Sequence, residues 1–137
     1  MAEGRAGEVE PVYLTLADVL ELYALIIGAS AAEAADQLRN RAGLESAIAR
    51  PETYAHYQDA DLPLQAAVLA HGIAETQCFI DGNKRTALIA MLVFLEINGW
   101  RVEASDPALA DWILSFSEGA SPEEVAARIR SALRPLA

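Results

Sequence analysis

Five consecutive residues, Asp81-Gly82-Asn83-Lys84-Arg85, set a carboxylate, a glycine, an amide and two cations side by side, and no other stretch of the sequence holds such a cluster. They follow Gln77-Cys78-Phe79-Ile80 and lead straight into the apolar run from Thr86, so they stand where a loop becomes the N-terminus of a helix. Backbone N–H groups are unpaired there and the helix dipole favours an anion. Gly82 allows the tight backbone that brings those groups to a ligand, and Arg85 can grip a phosphate with two parallel hydrogen bonds while Lys84 adds charge. Asp81 is the only acid of the turn. Mg²⁺ is commonly held by one or two carboxylates together with phosphate oxygens, so Asp81 is a candidate metal ligand. Composition alone leaves a plainer alternative open, in which Asp81 and Asn83 only make the turn and cap the helix. The stretch contains no evident proton acceptor.

The rest of the chain limits what such a turn can serve. With 137 residues, 53% hydrophobic and 22% charged, the sequence is expected to form one compact domain over residues 13–137 behind a flexible N-terminal arm, residues 1–12. Lys and Arg number 10 against 20 for Asp and Glu, a net charge of −10. A phosphate polymer would be repelled by this surface, whereas a small phosphate ligand needs one local positive site; direct nucleic-acid binding is therefore not expected. A single cysteine forms no internal disulfide, Met1 to Glu10 lacks the apolar run of a signal peptide, and the longest apolar run, residues 87–95, is shorter than the ~18 residues of a membrane span. The expectation is a soluble cytoplasmic protein with no membrane partner.

The elements that must position the turn are helical. Thr15 caps a first helix reaching Gly28, with Leu16, Val19, Leu20, Tyr23, Ile26 and Ile27 at helical spacing. Ser30 opens a polar helix that Gly43 is expected to end, and residues 44–50 add one or two turns stopped by Pro51. Residues 51–62, PETYAHYQDADL, show no 3.6 period and read as an ordered surface flap with Tyr54, His56 and Tyr57. Asp61 and Pro63 start a mostly buried helix over about 62–76, and residues 86–98 form a helix that is apolar nearly all round, the centre of an all-α core. WRVEA, residues 100–104, alternates like a short strand. Asp106-Pro107 begins another helix, and Ser121-Pro122-Glu123-Glu124 is a capping box for a last helix to about Leu133, closed by Pro135.

The stretch from 77 to 85 resembles the signature of the Fic/Doc family, H-[PX]-F-x-[DE]-G-N-[GK]-R, at Phe79, Asp81, Gly82, Asn83, Lys84 and Arg85. The flanks LRNRAGLESAIARP and KRTALIAMLVFLEINGW resemble the death-on-curing (Doc) toxin branch, and the likeness extends over roughly residues 15 to 133. The resemblance implies a compact all-α bundle with the motif loop between two central buried helices and a short flap before them. It implies ATP and Mg²⁺ as cofactors, with Asp81 on the metal, Gly82, Asn83, Lys84 and Arg85 on the phosphates, Phe79 as an anchor, and Tyr54 and Tyr57 in the flap that aligns a target peptide. Most of the family transfers AMP to a protein hydroxyl and has glycine where Lys84 stands. Lysine marks the Doc branch, in which the γ-phosphoryl group is transferred, so Lys84 points to a protein phosphotransferase, with AMP transfer (AMPylation) as an alternative. A toxin of this kind is paired with a small Phd-like antitoxin and acts on a target resembling a translation elongation factor. The self-inhibitory pattern of other branches, [ST]-x-x-x-E-[GN], fails at Glu118-Gly119 because Leu114 stands four residues before Glu118, which favours a separate inhibitor.

One departure bears on chemistry. Gln77 occupies the position of the family's catalytic histidine, and Cys78 that of the common proline. An amide oxygen accepts a hydrogen bond but no proton at neutral pH. General-base catalysis contributes about 10²- to 10⁴-fold, so activity should fall by that order. His71 lies six residues, roughly 9 Å along a helix, before Gln77 and on another face, and so reads as a core or surface residue. His56 in the flap is a remote substitute, and Cys78 reads as a small buried residue rather than a nucleophile. The competing function is a catalytically silent nucleotide- or protein-binding module.

Overall fold

The computed structural model describes residues 10–137, so most of the expected arm, residues 1–9, lies outside the described residues. The chain is already fixed at Val12. Its N–H donates to Asn98 Oδ1 (2.8 Å) and its carbonyl accepts from Asn98 Nδ2 (2.9 Å), which ties the entry of the chain to the far end of the central helix.

Helix α1, Leu16–Ile27, begins with the reciprocal capping box of Thr15 and Asp18 and stops at Gly28 in the left-handed region. Helix α2 is Ala31–Asp36, opened by a second box between Ser30 and Glu33. Helix α3, Arg41–Gln58, is N-capped by Asn40, whose Oδ1 accepts from the Gly43 N–H at 2.9 Å. Helix α4, Leu62–Thr76, is capped by Asp61, and α5 is Asn83–Ile97. Strand β1, Trp100–Val102, is followed by α6, Asp106–Ser117, then α7, Pro122–Ala132, and strand β2, Leu133–Pro135. The strands pair antiparallel, Arg101 opposite Arg134.

Helices α4 and α5 form the centre. Ala66, Ala67, Leu69, Ala70, Ile73 and Ala74 from one meet Ala87, Ala90, Met91, Phe94 and Leu95 from the other in a continuous buried cluster. The small residues of α4 let its neighbours approach closely: a Cβ on Gly72 would lie 2.6 Å from the Ala47 Cβ of α3. The expected all-α bundle is therefore present, with one two-stranded ribbon at its end. Among the described residues no helix is long and apolar enough to cross a membrane.

Three expectations are corrected. The polar helix from Ser30 does not run to Gly43; it breaks after Asp36, and Leu38 pairs as an isolated bridge with Phe79. Gly43 instead lies in the first turn of the following helix. Pro51 does not stop that helix, and residues 51–58 are helical rather than a flap. Leu44, Ala47 and Pro51 are buried at helical spacing, with Ile48, Tyr54 and Ala55 half-buried beside them, so one face crosses the proline without a break. Burial of that face offsets the hydrogen bond that a proline nitrogen cannot make. Finally, β2 takes residues expected to end α7; Pro135, lacking an N–H, sits at the edge of a short ribbon, where none is needed.

Candidate functional site

The loop between α4 and α5 is built from both sides. Helix α4 ends at Gln77, which takes a left-handed conformation (φ 49°, ψ 58°) and turns the chain inward. Cys78 and Phe79 are then fully buried. The Cys78 carbonyl accepts from the Arg39 N–H (2.8 Å) and the Asn40 N–H (3.0 Å), and the Ile80 N–H donates to the Gln37 carbonyl (3.0 Å). The segment 37–40, which frees itself from α2, is thus the edge against which the loop is laid.

Two side chains fix the loop from within. Asn83 Oδ1 accepts from the Phe79 N–H (2.8 Å) and its Nδ2 donates to the Phe79 carbonyl (2.9 Å), closing the turn. Tyr23 of α1 stacks on Phe79, ring centroids 3.8 Å apart and 8° from parallel, and its hydroxyl donates to the Asp81 carbonyl at 3.0 Å. Gly82, at φ 80°, completes the turn in a conformation that L side chains rarely adopt. Thr86 caps from behind, its hydroxyl (2.8 Å) and N–H (3.0 Å) both donating to the Gly82 carbonyl.

What remains on the outside is suited to an anion. Among the described residues, the N–H groups of Asn83, Lys84 and Arg85 have no protein acceptor and the Lys84 and Arg85 side chains have no ion-pair partner. Among the same residues Arg41, Arg101, Arg130 and Arg134 are paired with carboxylates, and Arg39, Arg50 and Arg128 are not; what sets Lys84 and Arg85 apart is that they adjoin each other beside these N–H groups. A cavity of about 670 Å³ opens over these groups, lined by Gln77, Ile80 and residues 81–85 together with Ile26, Ile27 and Ala74. Asp81 Oδ1 accepts from the Gly82 N–H (2.8 Å), which leaves Oδ2 for a cation. No group of three or more acids, histidines or cysteines able to hold a metal exists among the described residues. One carboxylate beside an anion hole fits Mg²⁺ carried with phosphate oxygens and does not fit a metal held by protein alone.

The candidates named from the sequence separate into two groups. Gln77, Asp81, Gly82, Asn83, Lys84 and Arg85 line one cavity together. Within it, Asn83 offers its backbone N–H, because its amide is spent on Phe79. The Gln77 side chain is exposed and makes no hydrogen bond among the described residues. Tyr54 and Tyr57 lie on α3, Tyr57 78% exposed, and are not among the residues that line this cavity, nor is any other residue of the region expected to be a flap. His56 packs edge-on to Tyr57 and lines a second cavity with Glu10, Tyr13, Glu52 and Gln65. His71 packs edge-on to Phe116, ring centroids 5.0 Å apart, away from the loop. Burial pushes the Cys78 thiol up, the opposite of an activated nucleophile, and its Sγ lies 2.8 Å from the Thr76 hydroxyl. Sequence reasoning missed Tyr23 as a support of the loop, since the contact joins residues 58 apart. Asn83 bonding back to Phe79 is a local pattern, four residues apart, and was open to reading.

Comparison with known proteins agrees with this geometry. The pattern of the Fic/DOC family matches residues 13–95. A curated relative, Toxin Doc of Mycolicibacterium smegmatis (strain ATCC 700084 / mc(2)155), is 35% identical over 94 residues, 67% of this chain and 68% of that protein.

Proposed function

The chain belongs to the Fic/Doc family, and from that premise we propose that it is a Doc-like toxin whose loop binds Mg²⁺–ATP and transfers the terminal phosphoryl group to a hydroxyl of a protein target resembling a translation elongation factor. It works as a single domain over residues 13–137 in the cytoplasm and is held in check by a separate, Phd-like antitoxin. The observation that carries this reading is the set of backbone N–H groups at the start of α5 that have no protein acceptor among the described residues, beside Lys84 and Arg85, which have no ion-pair partner among them, all lining one cavity with Asp81. Bound there, the magnesium nucleotide would supply the phosphoryl group, with ADP as the stable leaving group. Asp81 Oδ2 would hold the cation, the N–H groups of residues 83–85 would take phosphate oxygens, and Lys84 and Arg85 would neutralise charge that grows in transfer. The lysine at 84 supports phosphoryl over AMP transfer, by resemblance to the Doc branch.

Gln77 favours a second reading. Its amide orients a hydroxyl and cannot take its proton, so this chain is expected to transfer about 10²- to 10⁴-fold more slowly than a histidine-bearing equivalent, or to serve as a nucleotide-binding module. Gln77→His decides between them. The expected outcome is growth arrest on expression, together with label transfer from γ-labelled but not α-labelled ATP to a protein of a cell extract. A variant that binds Mg²⁺–ATP and transfers neither label leaves the module; one that transfers the α-label makes it an AMP transferase.

A further inference from the structure

The geometry points to Tyr23 as the positioning residue of the phosphate loop: through its hydrogen bond to the Asp81 carbonyl it sets where the Asp81 carboxylate meets the metal. The inference rests on the loop being a phosphate and magnesium site. Tyr23 is a helix α1 side chain, 1% exposed, yet it touches three nearly successive motif residues. Its ring lies flat on Phe79, its hydroxyl holds the Asp81 carbonyl at 3.0 Å, and its Cε1 lies 3.5 Å from where a Cβ on Gly82 would stand. Asp81 is consequently held at two points, by Tyr23 on its carbonyl and by the Gly82 N–H on Oδ1. A ligand-bearing residue gripped in this way has one orientation for its remaining oxygen, which is what outer contacts supply at metal sites.

The helix that carries this side chain also supplies part of the cavity wall. Ile26 and Ile27, one turn beyond Tyr23 on α1, line the same cavity as the loop. Wall and loop are therefore set by one helix, and a shift of α1 would move both together.

Tyr23→Phe removes the hydroxyl and leaves the ring stack. Amide exchange of Phe79, Ile80 and Gly82, the loop residues whose N–H groups are hydrogen-bonded, should accelerate about 2- to 12-fold, the equivalent of one neutral hydrogen bond, while amides of α4 and α5 beyond the loop keep their protection. Calorimetric titration should show ATP affinity in Mg²⁺ falling by a similar factor, with affinity in EDTA unchanged. The difference should vanish in an Asp81→Ala background. Unchanged loop exchange overturns the inference, as does a loss equal with and without Mg²⁺, which would mark ordinary structural support. Exchange that quickens throughout the chain makes Tyr23 a core residue and also overturns it. Local quickening in a parent protein that binds no Mg²⁺–ATP supports the clamp and sinks the ligand reading instead.

Discussion

Asn83 sits among the groups proposed to bind an anion, but its amide is bonded to Phe79 within the loop, and that distinction can be measured. Asn83→Ala removes the bonds to the Phe79 N–H and carbonyl, 2.8 and 2.9 Å. Two neutral bonds contribute about 1–3 kcal/mol together, and the half-buried position, which lets water replace part of them, argues for the lower half of that range. For a domain of this size each kcal/mol moves the melting midpoint by roughly 2–8 °C, so Asn83→Ala should melt several degrees below the parent. Asn83→Asp keeps an acceptor for the Phe79 N–H and adds a charge at the helix N-terminus worth about 0.3–1 kcal/mol, so it should melt between the two. Affinity for Mg²⁺–ATP should rank differently: parent, then Ala, then Asp, because the new carboxylate stands in the anion hole beside Asp81. Thermal denaturation and calorimetry on the three proteins give both rankings. If Asn83→Ala melts with the parent yet loses its nucleotide affinity, the amide contacts the ligand and the clamp argument is wrong.

Two further outcomes follow from the packing. Gly72→Ala gains helix propensity of about 1 kcal/mol, but its Cβ would lie 2.6 Å from the Ala47 Cβ and 3.0 Å from its Cα, so the crowding of α3 against α4 should win and lower stability by about 1–2 kcal/mol net; a raised denaturation midpoint would refute this. Burial holds His71 below its usual range, aided by Arg50 and opposed by Glu75 and Glu123, so the unfolded chain binds its proton first and stability should fall as pH drops from about 6.5 through the folded value. Denaturation curves between pH 7.5 and 5 should show that fall in the parent and a shallower one in His71→Gln; parallel curves would count against it.

Features written into neighbouring residues were legible in the sequence. Thr15 with Asp18, Ser121 with Glu124, and Asp61 with Pro63 name the starts of α1, α7 and α4, because caps are local hydrogen bonds. The loop proposed to bind an anion was legible as a loop for the same reason: a glycine, two cations and an apolar helix lie within one turn. Pro51 misled because its local cost was weighed against nothing, whereas the buried face of Leu44, Ala47 and Pro51 depends on α4. The break after Asp36 is set by Phe79, and β2 by β1, partners distant in sequence that leave no periodic mark on these short segments. Tyr23 looked like one more apolar position of α1. Only the fold shows that its hydroxyl has a use.

These constraints also say what Gln77 does and does not change. The left-handed backbone at 77 is imposed by the turn that drops Cys78 and Phe79 into the core, and any non-glycine residue there bears a cost of roughly 1–2 kcal/mol. Its side chain is exposed and unbonded among the described residues, so it contributes no contact that a replacement would break. The Asn83 clamp, the Tyr23 support, the Asp81 carboxylate and the Lys84 and Arg85 side chains make no hydrogen bond or ion pair with that side chain among the described residues. A histidine at this position would meet the same backbone and the same neighbours, and histidine is among the residues that tolerate this region. Gln77 and histidine therefore differ here in proton affinity rather than in architecture. A difference in transfer rate between them, measured at equal Mg²⁺–ATP affinity, isolates the contribution of the proton acceptor on an otherwise unchanged phosphate loop.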